Sequence, residues 1–336
     1  MKIKLDYLQD ISVIRDCTKG SDAVTLLCTN GDDIFFRKFA SGEAGIKLKK
    51  QLEWIEAQSS DIPSPRILSK YGDDDSFGYD MEYSLNSMGL PEYVHSVSID
   101  EAWNMLDNAL TKLEESVYTK DVRNADFSSV FKYVKDKVKK NAQTIESASV
   151  LADLMQHDTL IINGKEYRNF SSLKTMLDTE FLVEVFMSDP CSVIHGDLTM
   201  ENIICTRDDV GTVGFYYIDP NPNNIHETKF IDYSKVMQSI HGNYENLKNA
   251  TYVSVTGNEI SFEVASSPVY EELLKRLRDK LSGNYDYAAN RSICFHEVVN
   301  WLRLMPYKIH NKENVFVYYA GMIMVMNEAY DMYCGE

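Results

Sequence analysis

The fold is decided by the stretch VIHGDLTMENII, which spans residues 193–204. Apolar residues at both ends enclose a polar middle, and this pattern predicts the end of one strand, a loop and the start of another strand. The loop has the spacing H-x-D-x-x-x-x-N, from His195 through Asp197 to Asn202. A single Asp or Asn in a loop usually turns the backbone, so the pattern indicates a site only together with residues further along the chain.

A further acid, Asp219, comes after this stretch at the end of a predicted hairpin. Residues 203–205 and 213–218 are apolar and are separated by a polar turn, which predicts two paired strands that return Asp219 to the side of Asn202. Asn and Asp supply oxygen ligands of the kind that Mg²⁺ prefers. Because the polar residues and both strands agree, we expect a nucleotide and metal site here and not a structural loop.

The motif H-G-D-L-x-x-x-N followed by I-D-P resembles the aminoglycoside phosphotransferase and choline kinase branch of the protein-kinase-like fold, where Gly follows the His. The segment FIDYSK at 230–235, with residues 238–245 behind it, looks like phosphotransferases encoded among bacterial capsule and surface-polysaccharide genes. The resemblance is specific over residues 190–245 and diffuse elsewhere. It implies a bilobal α+β fold, with a small antiparallel β lobe and one helix at 1–83 and a larger, mainly helical lobe at 84–336.

The resemblance also implies a role for each polar residue of the loop. Asp197 is the base that orients an acceptor hydroxyl and takes its proton, while Asn202 and Asp219 hold Mg²⁺. His195 is a structural hydrogen-bonding residue and not a base. Asp232 anchors the loop by accepting hydrogen bonds from backbone N–H groups. The implied cosubstrate is ATP, and the implied acceptor is a small molecule with a hydroxyl group.

The predicted β lobe contains a candidate phosphate-binding lysine, Lys38, on its third strand. Lysine fills this place in the resembling family and meets the α- and β-phosphates of the nucleotide. Strand phase does not choose between Lys38 and Arg37, because apolar residues share the face of each. The turn at Gly20 and Ser21 would lie over the phosphates, although a single glycine fits a plain surface turn equally well.

The helix predicted over residues 43–58 offers no clear glutamate as the partner of Lys38, which is a departure from the family. Gln51 lies on the apolar face of this helix by its spacing and would accept a hydrogen bond from the lysine. An amide gives less charge stabilisation than a carboxylate does. The alternative partners are Glu53, which points elsewhere by the same spacing, and Glu43, which is at the start of the helix.

The strand predicted over residues 77–83 would lead to the hinge between the lobes, where the resemblance places the adenine. Met81 would then lie beside the purine. Backbone groups near Glu82 and Tyr83 would bind the edge of the base. The same residues fit an ordinary strand, so this assignment depends wholly on the fold.

Local signals organise the predicted second lobe. Ser98 and Glu101 have the spacing of a capping box at the start of a helix. Apolar residues at helical spacing predict one helix over residues 127–138. The pair Asn-Gly at 163–164 predicts a hairpin, and Thr-Gly-Asn at 256–258 predicts a second one. The lobe is therefore expected to be mainly helical, with hairpins inserted between its helices.

The composition excludes some functions. The chain has 336 residues, of which 44% are hydrophobic, and this is enough for two lobes with a sizeable core. The formal net charge is −17, from 51 acidic and 34 basic residues, and this balance argues against a nucleic-acid-binding protein. The charge fits a neutral or cationic acceptor, although solubility by itself accounts for it better.

No targeting or membrane-spanning segment is expected. Residues 1–6 contain charged side chains and no apolar core of a signal peptide. The longest uncharged run, residues 315–327, is shorter than the roughly 20 residues that span a bilayer. The 6 cysteines form no C-x-x-C pair, which favours reduced thiols over a metal cluster or redox motif. We therefore expect a cytoplasmic protein, and no pattern specifies its oligomeric state.

Several functions are compatible with these observations. The first is an ATP-dependent kinase for a hydroxyl of a sugar, a surface-polysaccharide precursor, an amino alcohol such as choline, or an aminoglycoside, and the capsule resemblance favours the sugar. The second is a pseudokinase that serves as a nucleotide-binding scaffold, suggested by the unplaced helix glutamate. The third is nucleotidyl transfer to a protein. Glu201, His226 and Glu227 are candidates for the acceptor pocket, with a solvated loop as the simpler interpretation.

Overall fold

Alternating residues near the start of the chain form an antiparallel sheet. The computed structural model describes residues 5–18, 23–72, 75–207, 211, 213–311 and 314–335. The strands of the first lobe are β1 Ser12–Asp16, β2 Val24–Thr29, β3 Ile34–Ser41, β4 Ile67–Gly72 and β5 Ser76–Glu82. Their order in the sheet is β1-β2-β3-β5-β4, and each neighbouring pair is antiparallel. Helix α1 Glu43–Gln58 follows β3 and has the bounds that the sequence predicts.

The two faces of this sheet bury different apolar clusters. Helix α1 covers one face, where Leu48 and Leu52 pack against side chains of β3 and β5. A short 3₁₀ helix at Leu5–Leu8 lies on the other face and brings Tyr7 into a cluster with Phe39. The rings of Tyr7 and Phe39 stack with their centroids 4.8 Å apart. The sequence predicts only strands over residues 1–40, and this prediction does not include the short helix.

Alternation along β3 places Arg37 and Lys38 on opposite faces of the sheet. The contacts that Arg37 makes beside Tyr7 decide which of the two residues faces the cleft. The Arg37 guanidinium donates two hydrogen bonds to the Asp80 carboxylate, both 2.8 Å long. It donates a third, also of 2.8 Å, to the backbone carbonyl of Tyr7. Lys38 is left to face α1 and the space between the lobes.

The second lobe contains the remaining elements. Its helices are α2 Leu90–Val94, α3 Ile99–Glu115, α4 Phe127–Tyr133, α5 Lys140–Glu146, α6 Phe170–Leu173, α7 Thr179–Phe186, α8 Lys229–Ile240, α9 Tyr244–Leu247, α10 Pro268–Asn284, α11 Tyr287–Asn311 and α12 Val315–Tyr333. Its strands are β6 Ser87–Gly89, β7 Arg123–Asn124, β8 Thr159–Ile162, β9 Lys165–Arg168, β10 Pro190–Cys191, β11 Ile203–Arg207, β12 Val213–Tyr217, β13 Thr251–Thr256 and β14 Glu259–Glu263. The capping box of Ser98 and Glu101 begins α3 as predicted.

Two small sheets tie the second lobe together. Strands β11 and β12 form the hairpin predicted after the catalytic stretch, and β6 joins it in the order β12-β11-β6. The two predicted hairpins, β8–β9 and β13–β14, meet through a parallel pairing of β14 with β8. Since β5 ends the first sheet at Glu82 and β6 pairs in the other lobe, we propose that the lobes divide at residues 83–84.

One large hydrophobic core holds the helices of this lobe. Helix α11 packs against both α8 and α12, and its Trp301 is fully buried. Helix α12 contains the long uncharged run at 315–327, most of which is buried. Among the helices that the structure describes, none combines the length and the apolar character needed to cross a bilayer.

The helix predicted over residues 127–138 is not continuous. Helix α4 passes into a π-helical segment, Val134–Lys139, which continues into α5. Neither Gly nor Pro lies in this region, so the sequence contains no breaker that would signal the change. The apolar spacing is satisfied on both sides of the segment, where Val130, Val134 and Val138 are all fully buried. A π segment inside an α-helix frequently lies at a functional site.

Candidate active site

The loop that contains His195, Asp197 and Asn202 is anchored by Asp232, in the first turn of α8. Its carboxylate accepts hydrogen bonds from the backbone N–H groups of His195 at 2.8 Å and Gly196 at 2.7 Å. The Tyr118 hydroxyl donates a third bond of 2.9 Å. Burial raises the pKa of this carboxyl to about 7, against the opposite effect of the bonds to His195 and Gly196. The geometry therefore joins α8 rigidly to the loop, in the position that the resemblance implies for this acid.

His195 is fully buried and uses both ring nitrogens within the protein. Its Nε2–H donates to the Ile218 carbonyl at 3.0 Å, and its Nδ1 accepts a long hydrogen bond of 3.4 Å from the backbone N–H of Asp197. Burial lowers the pKa of His195 to about 4, so the ring is neutral at neutral pH. The edge of the ring packs against Trp54 of α1, which places the first lobe directly on the loop. This residue links the loop to the strand before Asp219 and has no free nitrogen to act as a base.

Gly196 has a conformation and a packing environment that only glycine meets. Its φ is +80°, in the left-handed region. A Cβ atom there would lie 2.1 Å from Asn224 Nδ2 and 2.4 Å from the Asn221 carbonyl oxygen. The loop after Asp219 wraps over Gly196 at this point, because the Asn221 backbone N–H also donates to the His195 carbonyl at 2.7 Å. The glycine of the motif is therefore a requirement of packing.

We expect Gly196→Ala to lower the free energy of unfolding by about 2–5 kcal/mol, from the left-handed φ and the overlap with Asn221 and Asn224. Chemical denaturation of the purified variant measures this. The matched control is Gly164→Ala, because Gly164 has the same φ of +80° with nothing within 4 Å of its Cβ position. The control should lose only about 1 kcal/mol. Equal losses in both variants would contradict the packing argument.

Asp197 extends from this loop into the cleft, with 42% of its side chain exposed. The ammonium of Lys235 lies 3.1 Å from its carboxylate. Burial acts to raise the pKa of Asp197, but the charge and hydrogen bond of Lys235 outweigh it and keep the pKa below the ordinary value. The carboxylate is therefore ionised at neutral pH and is positioned to accept a proton.

Lys235 has no role in the sequence prediction, although it lies in the FIDYSK segment at 230–235. Helix α8 presents Asp232, Lys235 and Ser239 at helical spacing on the face that meets the loop. The Ser239 hydroxyl accepts a hydrogen bond of 3.1 Å from the backbone N–H of Met200. The helical spacing of Asp232, Lys235 and Ser239 is the sequence signal for contact with the loop, because it places all of them on one face of α8. That face contacts the loop at both ends of the loop.

Asn202 and Asp219 come together because β11 and β12 pair. The Ile218 backbone N–H donates to the Asn202 carbonyl at 2.9 Å, which places Asp219 beside Asn202. The Asn202 Nδ2 donates to the Asp197 carbonyl at 2.7 Å, and within the described residues its Oδ1 has no donor. Asp219 has a φ of +56°, a left-handed conformation that is uncommon outside glycine and is often found at functional sites. The two side-chain oxygens fit the hard donor set of a magnesium ion.

Lys38 lies between two elements of the site. Its Nζ donates to Gln51 Oε1 at 3.0 Å and lies 2.5 Å from Asp219 Oδ1. The Gln51 amide also donates to the Pro220 carbonyl at 2.8 Å. Gln51 is thus both acceptor and donor, a combination that a glutamate does not provide. The structure brings Lys38, Gln51 and Asp219 together across the boundary between the lobes.

Gln51→Glu is expected to lower stability by about 1–3 kcal/mol, because the carboxylate loses the hydrogen bond to Pro220 and faces its carbonyl oxygen. The new charge would also compete with Asp219 for Lys38. Thermal or chemical unfolding measures the loss. Gln58→Glu on the same helix is the control, because Gln58 accepts a hydrogen bond of 2.6 Å from Lys120 and a glutamate keeps it. A gain of stability in Gln51→Glu would contradict the argument that the hydrogen bond to Pro220 is worth more than a second carboxylate beside Lys38.

The cleft between the lobes has a volume of about 950 Å³. Asp197, Asn202 and Asp219 all line it. At its inner end the apolar lining comes from both lobes, with Ala23, Phe36, Met81, Ile204 and Ile218. These surfaces are suited to a flat apolar base.

Of the other predicted nucleotide contacts, some line the cleft and the rest lie outside the described residues. Glu82 and Tyr83 line the same cleft. The Glu82 backbone N–H is bonded to the Arg66 carbonyl at 3.0 Å, so the edge of a base would have to use other backbone groups. Gly20 and Ser21 lie outside the described residues.

His226 and Glu227 do not take the positions suggested for them, whereas Glu201 does line the cleft. His226 is fully buried, and its Nε2 lies 2.7 Å from the Asp189 carboxylate, which His296 also contacts at 2.8 Å. The three donor atoms lie within 4.8 Å of one another. Burial acts to lower the pKa of His226, but its hydrogen bond to Asp189 outweighs this and raises the pKa to about 9. The group therefore forms a buried ion pair under the loop that leads away from the site.

Comparisons with known proteins agree with this architecture. The chain is similar to a putative fructosamine-3-kinase from Haemophilus somnus 129PT, with a TM-score of 0.53 and 11% identity over 96% of this chain and 95% of the other. It is also similar to a thermostable mutant of aminoglycoside phosphotransferase APH(4)-Ia in ternary complex with AMP-PNP and hygromycin B, with a TM-score of 0.57 and 8% identity over 98% of each chain. No family model and no curated protein sequence matches. The predicted bilobal, protein-kinase-like fold is thereby confirmed.

Proposed function

We propose that this chain is an ATP- and Mg²⁺-dependent phosphotransferase that moves the γ-phosphoryl group of ATP to a hydroxyl of a small molecule. The observation that carries the proposal is the convergence of Lys38, Asp197, Asn202 and Asp219 on one cleft between the lobes. Two of the similar structures, both of aminoglycoside phosphotransferase APH(4)-Ia, are complexes with AMP-PNP or ADP, which supports a nucleotide in the cleft. Phosphoryl transfer needs this arrangement, because it depends on positioning and on neutralising charge.

Each residue has a distinct part in the proposed reaction. Asp197 accepts a hydrogen bond from the acceptor hydroxyl and orients its oxygen toward the γ-phosphorus. As that oxygen forms its bond to phosphorus, the bond from phosphorus to the β–γ bridging oxygen breaks and ADP leaves. The proton of the hydroxyl passes to the Asp197 carboxylate. Lys38 would neutralise charge on the remaining phosphates.

The metal site is proposed at Asn202 and Asp219, whose oxygens fit Mg²⁺. When bound there, Mg²⁺ would offset the negative charge of the phosphate oxygens. Within the protein, Asn202 is held for this role by its hydrogen bond to the Asp197 carbonyl. The cysteines of the protein are free thiols, which is in keeping with the cytoplasm, as is a reaction that uses ATP. We therefore propose that the protein is cytoplasmic.

For the acceptor we propose a sugar or a surface-polysaccharide precursor. The segment at 230–245 supports it through its resemblance to phosphotransferases encoded among surface-polysaccharide genes. The fructosamine-3-kinase and the hygromycin B complex among the similar structures are also in keeping with small-molecule acceptors. An aminoglycoside or choline acceptor is the alternative within the same reaction.

A pseudokinase scaffold is the second candidate, and Gln51 is the observation that favours it. An amide in place of a carboxylate leaves Lys38 with Asp219 as its charged partner in the described structure. Such a protein would bind nucleotide without turnover. The remaining polar residues of the reaction are all present, which favours the enzyme.

The experiment that tests the function has two parts. Thermal unfolding is followed with ATP, with and without Mg²⁺, and we expect a rise in Tm that requires both. ATP labelled at the γ-phosphate and ATP labelled at the α-phosphate are then incubated with the protein and mixed sugars. Label from the γ-position alone should reach an acceptor. Transfer of the α-label would instead show nucleotidyl transfer, and a Tm rise without any transfer would favour the scaffold.

A further inference from the structure

One end of the cleft, beside Asp197, is built from two helical segments of the second lobe. One is the π-helical segment Val134–Lys139, and the other is α11 around Pro306, a proline inside the helix. These two segments pack against each other. Lys137 from the first and Arg303 from the second line the cleft together with Lys235. The π-helical segment and the proline inside α11 thus each lie beside a cation that lines the cleft.

Two of the cations at this end form no ion pair within the described structure, although Asp136 and Asp197 line the same cleft. Lys235 is paired with Asp197, but neither Lys137 nor Arg303 has a carboxylate partner among the described residues. The neighbouring Asp136 also lines the cleft, but its carboxylate is engaged by two other lysines, Lys132 and Lys140. Glu201 lies across the cleft within 3.9 Å of Lys248. Lys137 and Arg303 therefore line the cleft without a carboxylate in contact with them among the described residues.

A neutral group holds the guanidinium of Arg303, whereas among the described residues the side chain that bonds to Lys137 reaches only its backbone carbonyl. Arg303 Nη1 donates to Asn300 Oδ1 at 3.4 Å, and the Asn300 amide in turn donates to the Ser234 hydroxyl at 2.9 Å. Asn141 donates to the Lys137 carbonyl at 2.6 Å. Burial lowers the pKa of Lys137, the nearby charge of Arg303 lowers it further, and the charge of Asp136 acts in the opposite direction. A bound anion would relieve the repulsion between Lys137 and Arg303.

We propose that the acceptor carries an anionic group, a carboxylate or a phosphate, that binds Lys137 and Arg303 while its hydroxyl lies at Asp197. This inference rests on the proposed function and narrows its acceptor to an acidic sugar or a sugar phosphate. It excludes a cationic acceptor such as choline or an aminoglycoside. The net charge of −17 by itself fits a neutral or cationic acceptor. Charges more than about 8 Å away are largely screened at physiological salt, so the cations that line the cleft determine which acceptor binds.

The test uses the full-length protein saturated with Mg²⁺ and AMP-PNP. Glucuronate, glucose 1-phosphate, glucose and choline are titrated separately, and Tm is followed. We expect a further rise in Tm with glucuronate, with glucose 1-phosphate or with both, and none with glucose or choline. The comparison of the two anions shows whether the site takes a carboxylate or a phosphate. No rise with either anion, or an equal rise with glucose, would overturn the inference.

The double variant Lys137→Gln, Arg303→Gln should weaken the affinity for the anionic sugar by about tenfold to a hundredfold. It should keep the Tm rise with Mg²⁺ and AMP-PNP. Lys135→Gln is the control, because Lys135 is an exposed lysine of the same π-helical segment and does not line the cleft. Loss of the nucleotide effect in the double variant would mean that these cations serve the phosphates of ATP, and the inference would fail. Absence of any nucleotide effect in the unmodified protein would instead refute the proposed function.

Discussion

Replacing Asp197 by asparagine is expected to reduce kcat by about 10²- to 10⁴-fold, the usual contribution of a general base. Asparagine has nearly the same shape and keeps an oxygen toward Lys235, which lies 3.1 Å from the carboxylate. It cannot take the proton of the acceptor hydroxyl. No other group nearby replaces it, because both nitrogens of His195 are engaged within the protein. Steady-state kinetics with the acceptor identified by the labelling experiment measures the effect.

The binding of Mg²⁺ and ATP should survive this substitution. The proposed contacts of the nucleotide are at Lys38, Asn202 and Asp219, and Asp197 contributes only its backbone carbonyl to Asn202. The Tm rise with Mg²⁺ and ATP is therefore expected to stay within the error of the unmodified protein. Asp107→Asn is the control, since Asp107 pairs with Lys280 at 2.7 Å outside the cleft. Undiminished turnover in Asp197→Asn would eliminate the assigned base.

Replacing Lys235 by methionine is expected to lower kcat/KM at neutral pH by about tenfold to a hundredfold, because Asp197 loses a charged hydrogen bond that orients it. The change also has a defined pH dependence. Burial acts to raise the pKa of Asp197, and Lys235 is the main group that opposes it. Without this lysine the pKa of Asp197 rises, and the carboxylate is protonated at a higher pH. The acidic limb of the pH–rate profile should therefore move to higher pH.

The profile of kcat/KM against pH, measured for both proteins, tests this. Lys229→Met is the matched control on the same helix, because the Lys229 ammonium lies over the ring of Tyr285, 5.0 Å from its centroid, and not in the cleft. It should leave the acidic limb in place. An unshifted limb in Lys235→Met would mean that Lys235 has only a structural role, whatever the loss of activity.

The catalytic loop was predictable because its parts are close in the sequence. The spacing from His195 to Asn202 places the polar groups on one loop, and the strand–turn–strand pattern after it returns Asp219 to it. The capping box at Ser98 and the bounds of α1 are predictable for the same reason. In each case the hydrogen bonds or the apolar face depend on residues only a few positions apart.

Other features of the site had no such local signal. Strand alternation could not distinguish Arg37 from Lys38, and the outer cluster at Tyr7 decided between them. The π-helical segment at 134–139 has no breaker in its sequence. His226 resembles a loop residue in the sequence, but it is buried because Asp189 and His296 approach it from other elements.

The sequence by itself determined the loop at 195–202 and the hairpin that carries Asp219, since neighbouring residues specify the backbone there, while the bilobal fold followed from the family resemblance of this motif. Only the tertiary structure decided that Lys235 meets Asp197 and that Lys137 and Arg303 face the same space. The physical reason is that these charges lie on helices distant in the sequence, and packing of the apolar core sets the distances between them. Composition reports the sum of charges, whereas the site responds to those within a few ångströms.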